Sequence, residues 1–151
     1  MAHVRFYAVE PDCFFSRAVH FLGKLAGYDM QLVHCALEWD GFVNDFTIDG
    51  IGYYTVEEDE EHRESDIMVE IAIDHALLYE RAMVLAYMDV RLNPWVLIKK
   101  MLRLPMRPQD LMCTDFVQLL IGDEPKHYSS VELLQSLISD SIVGHQEDNF
   151  N

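Results

Sequence analysis

Hydrophobic and polar positions change their spacing along the chain, and each change marks the boundary of a predicted element. After Pro11 and Asp12 the apolar residues recur every three or four positions, which is the spacing of one helical face. From Gln31 onward the spacing is two, as in a strand whose alternate side chains point to opposite faces. Asp40 and Gly41 then form the sequence of a two-residue hairpin turn, so a second strand is expected to return beside the first.

The remaining pattern adds further strands and helices of ordinary length. Apolar or alternating runs predict strands at residues 4–9, 31–39, 42–48, 53–56 and 67–73. Helical spacing predicts helices after Asp12 and Asp74, and shorter ones at residues 95–102, 116–121 and 130–138. The buried faces of the first two helices are expected to carry Phe14, Phe21, Leu25, Leu77, Leu78, Ala82, Leu85 and Met88. Together these elements predict an α+β fold with a mostly antiparallel sheet.

The chain is 151 residues long, which is the length of one domain with a real hydrophobic core. Half of its residues are hydrophobic, so the chain as a whole is not expected to be disordered. Apolar periodicity is lost only near the end. We therefore expect a single domain over residues 1–138 and a flexible C-terminal tail over residues 139–151.

The charge balance is strongly acidic, with 26 Asp and Glu residues against 11 Lys and Arg residues and a net charge of −15. A surface of this sign repels phosphate groups, so neither nucleic acid nor an anionic membrane is an expected partner. Residues 57–61 are all acidic and are predicted to form a solvated loop. A cation site there is the alternative, although the run lacks the spaced acids and the glycine of a calcium loop.

The cysteines and the apolar runs bear on the cellular compartment. No apolar run approaches the ~18 residues of a membrane-spanning helix, and the first residues do not resemble a leader peptide. Cys13, Cys35 and Cys113 cannot all pair, and none belongs to the C-x-x-C motif of a zinc or redox site. These features predict a cytoplasmic protein with free thiols and no stable membrane insertion.

The hairpin predicted around Asp40 and Gly41 brings polar side chains of two strands together. In that register His34, Asp45 and Thr47 share one face, with Asp45 diagonal to His34 at a Cα distance of about 7–8 Å. A carboxylate at that distance can hold one ring nitrogen and leave the other to act as a base. The alternative is a solvent-facing Asp45 at a sheet edge, with Thr47 or a backbone carbonyl orienting His34.

Cys113 is the candidate nucleophile because it stands at the start of a predicted helix. The first-turn N–H groups and the positive end of the helix dipole favour a thiolate, and the backbone amide of Cys113 can donate to an oxyanion. A thiolate beside a histidine attacks an acyl carbon without a metal or a cofactor. Cys13 is a rival because it also begins a helix, but we expect it to be structural. Cys35 is expected to point away from His34 and to lie outside the site.

Two segments carry a resemblance to a known group of proteins. HCALEWDGFVNDF, residues 34–46, resembles the histidine hairpin of the circularly permuted NlpC-like papain-fold proteins. CTDFVQLLIG, residues 113–122, is similar to the nucleophile helix of the same group, and the histidine precedes the cysteine as in the permuted order. The group includes lecithin:retinol acyltransferase-like proteins, phospholipase/acyltransferase families, and bacterial and phage relatives.

The resemblance implies a papain-like antiparallel sheet packed against helices, and a cysteine hydrolase. Cys113 would be the nucleophile, His34 the base and Asp45 the residue that orients His34. A peptide, amide or lipid ester would be the substrate, and no cofactor is implied. The chain departs from the acyltransferase-like members at Asp45, where they usually carry histidine, and at Cys35, where an aromatic residue is common.

A non-catalytic role is the alternative prediction. A protein of this group can keep the papain-like fold as a binding module, and phage members make a virion or assembly component with a protein partner conceivable. Rapid alkylation of Cys113 alone, lost in His34→Ala, would favour the enzyme, whereas slow and uniform labelling of the cysteines would favour the module.

Overall fold

The computed structural model describes residues 1–8, 14–32, 34–47, 49–63, 65–88, 90–102, 104–126 and 129–147. In chain order its elements are β1 (Ala2–Tyr7), α1 (Phe14–Leu25), β2 (His34–Trp39), β3 (Phe42–Thr47), β4 (Gly50–Thr55), α2 (Val56–His62), β5 (Ile67–Ile71), α3 (His75–Tyr87), α4 (Pro94–Met101), α5 (Cys113–Ile121) and α6 (Ser130–Glu147). The predicted α+β class is confirmed in this part of the chain. None of these helices is long and apolar enough to cross a membrane.

Within the ranges given above, five strands form one antiparallel sheet in the order β4-β3-β2-β1-β5. β2, β3 and β4 form the predicted meander, whereas β1 lies between β2 and β5. The turn between β2 and β3 is the predicted pair of Asp40 and Gly41, whose φ angles are 52° and 79°. Positive φ at both positions is typical of a type I′ turn, which matches the twist of the two strands. The turn aligns Trp39 with Phe42, as predicted.

Helix α5 packs against one face of the sheet and closes the larger apolar core. Phe116 of α5 stacks on Phe46 of β3, with ring centroids 5.3 Å apart and ring planes inclined by 15°. Leu37 of β2 and Leu120 of α5 are completely buried beside them. Full burial of a side chain of this size contributes about 1.5–3 kcal/mol. This apolar face therefore fixes the position of α5 over β2 and β3.

Helix α2 covers the opposite face, where the sequence predicts a solvated acidic loop. Residues 57–61 are helical because the Thr55 hydroxyl accepts from the Glu58 N–H and the Glu58 carboxylate accepts from the Thr55 N–H. Acidic residues in the first turn also interact favourably with the helix dipole. Asp59 is only 3% exposed. The predicted loop is therefore wrong, whereas the predicted exposure holds for residues 57, 58, 60 and 61 and fails for Asp59.

Two helices expose apolar side chains that the helical spacing predicts to be buried. Phe21 and Leu25 of α1 are 63% and 65% exposed. Leu77 of α3 and Met88, the residue that caps its C-terminal end, are exposed, whereas Leu78 lies in the core as predicted. Apolar residues occur on several sides of α3, and only the stripe that meets α5 is buried.

The ends of two elements also differ from the prediction. β1 spans Ala2–Tyr7 rather than residues 4–9, and position 9 lies outside the described residues. α6 continues to Glu147 instead of ending at Ile138, because no proline interrupts this stretch. Residues 139–147 of the predicted tail are thus helical, and residues 148–151 lie outside the described ranges.

Candidate active site

His34 and Asp45 lie at the open end of the β2–β3 hairpin. His34 begins β2, and its Nε2 atom is 2.5 Å from Oδ1 of Asp45 in β3. The Asp45 side chain is 2% exposed, and that of His34 is 15% exposed. The predicted proximity of the two residues is confirmed. The alternative of a solvent-facing Asp45 is wrong, because β3 lies between β2 and β4.

The two strands separate where the site begins. β2 and β3 pair from Trp39 with Phe42 to Leu37 with Asn44. Beyond that point the Phe46 N–H donates to Asp45 Oδ1 at 2.7 Å. The carboxylate thus replaces a neighbouring strand as the acceptor, and the same oxygen meets the His34 imidazole. A backbone donor therefore helps to fix the orientation of Asp45.

Two further residues border the imidazole without replacing Asp45. The Tyr7 ring lies beside it, with ring centroids 5.8 Å apart. Thr47, the alternative orienting residue, bonds within its own turn: its hydroxyl donates to the Gly50 carbonyl at 3.1 Å and accepts from the Asp49 N–H at 3.2 Å. The acceptor on His34 Nε2 is therefore Asp45.

The other oxygen of Asp45 accepts a hydrogen bond from a residue that sequence reasoning missed. Arg63, which directly follows α2, donates from Nη2 to Asp45 Oδ2 and from Nε to Asp59 Oδ1 at 3.1 Å. Its guanidinium also lies over the Tyr7 ring, 4.2 Å from the centroid. The Tyr7 hydroxyl donates to Asp59 Oδ2 at 2.7 Å. The capping box of α2 was the signal in the sequence that could have located Asp59 and Arg63 on an ordered element.

Cys113 is the first residue of α5, as the sequence predicts. The helix start is held by Asp115, whose carboxylate accepts from the Met112 N–H at 2.8 Å and pairs with Lys100 at 2.6 Å. Cys113 is 5% exposed. Cys35 and His34 both act on its pKa, so the three side chains lie close together. Since Nε2 of His34 faces Asp45, the ring nitrogen left for the thiol is Nδ1.

Cys35 belongs to this site, which corrects the expectation that it lies outside. Its side chain points to the core face of the sheet, as predicted, but that is the face on which α5 brings Cys113. The side chain and the backbone of Cys35 both lower the pKa of Cys113, which places Cys35 beside the candidate nucleophile. The sequence could not indicate this contact, because it depends on how α5 docks. Cys13, the rival nucleophile, lies outside the described residues.

The protonation states follow from these contacts. Hydrogen bonding from Cys35 and the charge of His34 outweigh burial and hold the pKa of Cys113 well below its usual range. Burial lowers the pKa of His34, but the charges of Cys113 and Asp45 raise it to about 10. Burial raises the pKa of Asp45, yet His34 and Arg63 lower it to about 2. Burial raises the pKa of Cys35 well above its usual range. The directions of these shifts favour the thiolate form of Cys113 and the protonated form of His34.

The comparisons with known proteins leave the geometry of the site as the basis for any functional assignment. No family model, curated protein or solved structure matches this chain. What remains is a cysteine at a helix start, a histidine beside it and a carboxylate on the far ring nitrogen. These groups can perform nucleophilic attack and proton transfer at an acyl carbon.

Proposed function

We propose that this protein is a cysteine hydrolase that cleaves an amide, peptide or ester bond through a thioacyl intermediate. The observation that carries the proposal is the position of His34, whose imidazole lies between Asp45 and Cys113. In this order a carboxylate orients the ring, and the ring exchanges protons at the nucleophile. The roles are those that the resemblance implies for Cys113, His34 and Asp45.

The reaction would proceed in two steps. The Cys113 sulfur bonds to the carbonyl carbon, the scissile C–N or C–O bond breaks, and His34 Nδ1 gives its proton to the leaving amine or alcohol. Water then attacks the thioester and gives a proton to Nδ1, the C–S bond breaks, and the acid leaves. N–H groups in the first turn of α5 have no partner within the helix and are suited to the oxyanion. No metal or cofactor takes part in these steps.

The arrangement of elements supports a permuted papain-like fold as part of the proposal. A helix that begins with the nucleophile packs on an antiparallel sheet, and two adjacent strands carry the histidine and its carboxylate. Their order in the chain is histidine, aspartate, cysteine, which is the permuted order. Peptides, amides and lipid esters are the proposed substrates. The net charge of −15 disfavours polyanions.

The proposal is tested with thiol-reactive acyl probes that carry either a peptide or a lipid chain. We expect an adduct on Cys113 alone, no adduct in Cys113→Ala, and slow reaction in His34→Ala. Cys13→Ser is the matched control, because it removes a cysteine that the sequence predicts to be structural and keeps the nucleophile. Adducts distributed over several residues, or none on Cys113, would contradict a hydrolase. The probe that reacts faster identifies the substrate class.

One observation favours a second candidate function, a binding or assembly module that keeps the fold without catalysis. Cys113 is only 5% exposed, and a buried thiol is more often a packed residue than a nucleophile. Iodoacetamide labelling at neutral pH separates the two functions. Fast alkylation of Cys113, lost in His34→Ala, supports the enzyme, whereas labelling that is slow in both proteins supports the module.

A further inference from the structure

Arg63 has contacts that tie it to the site from the opposite side of Asp45. It follows α2 in extended backbone, with φ of −161°, and its side chain is 26% exposed. Asp45 Oδ1 faces His34 and the Phe46 N–H, while Asp45 Oδ2 receives Arg63. One carboxylate is therefore shared between two cationic side chains, the imidazolium and the guanidinium.

We propose that Arg63 is a positioning residue of the site. It holds Asp45 in place and reduces the stabilisation that this carboxylate gives to protonated His34. The inference rests on the proposed hydrolase function. A carboxylate that faces an imidazolium alone stabilises the protonated ring strongly, and a base that cannot release its proton is a poor catalyst. A guanidinium on the second oxygen neutralises part of the charge and leaves the orienting hydrogen bond in place.

Arg63 is suited to this role because its own position is fixed on two further sides. Asp59 of α2 accepts from its Nε atom, and the Tyr7 ring supports the plane of the guanidinium. Asp59 is in turn held by the Tyr7 hydroxyl and lies 3.5 Å from Arg5 Nη1. The planar guanidinium can donate hydrogen bonds to Asp45 and Asp59 at the same time, and a lysine ammonium is less well suited to both contacts.

The charged and titratable groups around the pair come from every element that packs there. His34 faces Cys113 from α5, Asp45 from β3, Tyr7 from β1 and its neighbour Cys35. Arg63 faces Asp45 from β3, Asp59 from α2 and Tyr7 from β1.

Arg63 supplies a positive charge to this set, so its removal is expected to raise the pKa of both Cys113 and His34. Removal of Asp45 is expected to lower the pKa of His34. The pKa of His34 is therefore expected to shift in opposite directions in the two variants.

The test is the pH dependence of Cys113 alkylation by iodoacetamide in the full chain. In Arg63→Gln the two limbs of the profile, which report the titration of Cys113 and of His34, are expected to move to higher pH by about half to one unit. Arg63→Lys should move upward less, because it keeps the charge and loses the fork. Arg107→Gln is the matched control: it loses the same charge at a side chain that is 60% exposed and paired with Asp110, and its profile should not move.

The possible results separate this inference from the proposed function. A wild-type Cys113 that lacks thiolate reactivity near neutral pH contradicts the hydrolase itself. If the wild type is reactive but the pH profile of Arg63→Gln does not move, the role of Arg63 alone is overturned. The same holds if the Arg63→Gln profile moves to lower pH, as is expected for Asp45→Asn. If Arg63→Gln does not fold, Arg63→Lys decides, and an unmoved profile there overturns the inference.

Discussion

The two faces of the sheet are built from different chemistry. The face under α5 is apolar, with Phe46, Phe116 and Leu120 completely or almost completely buried. The face under α2 carries buried ionisable groups that bond to one another: Arg5, Tyr7, Asp45, Asp59 and, half-buried, Arg63. Cys113 comes from the first face and His34 leans toward the second, so the candidate site forms where the two meet.

The difference indicates a division of roles between stability and orientation. Apolar burial stabilises the fold directly, at about 25 cal/mol for each Å² removed from water. A buried ion-pair network adds little net stability, because desolvation offsets most of the Coulombic attraction. The hydrogen bonds of the network nevertheless fix the orientation of its side chains, and the loss of one partner leaves another charge buried without compensation. The α5 face is therefore expected to govern unfolding, and the α2 face to govern the reactivity of Cys113.

The largest expected effect is the loss of reaction in Cys113→Ser. A hydroxyl at this position is not ionised by His34, so turnover of an acyl probe should fall by at least about a thousandfold. The free energy of unfolding should change little, because the two side chains are similar in size. Cys13→Ser is the control, which should lower stability and spare turnover. An exchange of these two phenotypes would assign the nucleophile to Cys13.

Asp45→Asn should follow, with turnover lower by about 10²–10⁴-fold, because the acceptor that orients the imidazole is gone. The pKa of His34, raised to about 10 in the native protein, should fall. Titration of His34 by NMR in both proteins measures the change. An unchanged pKa would mean that Asp45 does not act on His34 and would contradict the contact at 2.5 Å.

Stability should depend on pH in two windows set by the same pair. The raised pKa of His34 stabilises the native state fully below the unfolded value near 6.5, and this contribution is lost as pH rises through about 10. The lowered pKa of Asp45 stabilises it above about 4, and this contribution is lost as pH falls through about 2. Urea unfolding across pH tests both windows. Asp45→Asn should flatten the acid window, and a wild-type curve without either loss would contradict these shifts.

On the apolar face, Phe116→Ala should lower the free energy of unfolding by about 3–5 kcal/mol, because it opens a cavity against Phe46. Phe21→Ala is the matched control: its side chain is 63% exposed, and the cost should stay within about 0.5 kcal/mol. Chemical denaturation of both variants gives the comparison. Equal costs would mean that the core is not centred on α5.

The smallest expected effect is that of Cys35→Ala on the thiolate. Loss of the Cys35 thiol removes one hydrogen bond from the Cys113 sulfur, so the pKa of Cys113 should rise while the backbone N–H of residue 35 remains as a donor. Ultraviolet absorbance of the thiolate against pH measures the shift. A pKa that stays the same would mean that the backbone and His34 suffice to stabilise the thiolate.

Local sequence patterns specify those features of the fold that depend on neighbouring residues. The Asp40-Gly41 turn and the period of two set the register of the hairpin that carries His34 and Asp45, and the helical run after Cys113 predicts its place at a helix start. The antiparallel α+β class follows from the same local patterns. The catalytic roles assigned to these residues remain predictions.

Long-range packing, in contrast, determines which distant groups complete the site and which faces are buried. The contact of Arg63 with Asp45 requires α2 to lie over the sheet, and that of Cys35 with Cys113 requires α5 to dock on the other face. Phe21 and Leu25 have the spacing of a buried stripe, yet they remain exposed. The physical reason is the same in each case. Periodicity tells which side chains share a face of an element, but burial and long-range pairing depend on which element packs against that face.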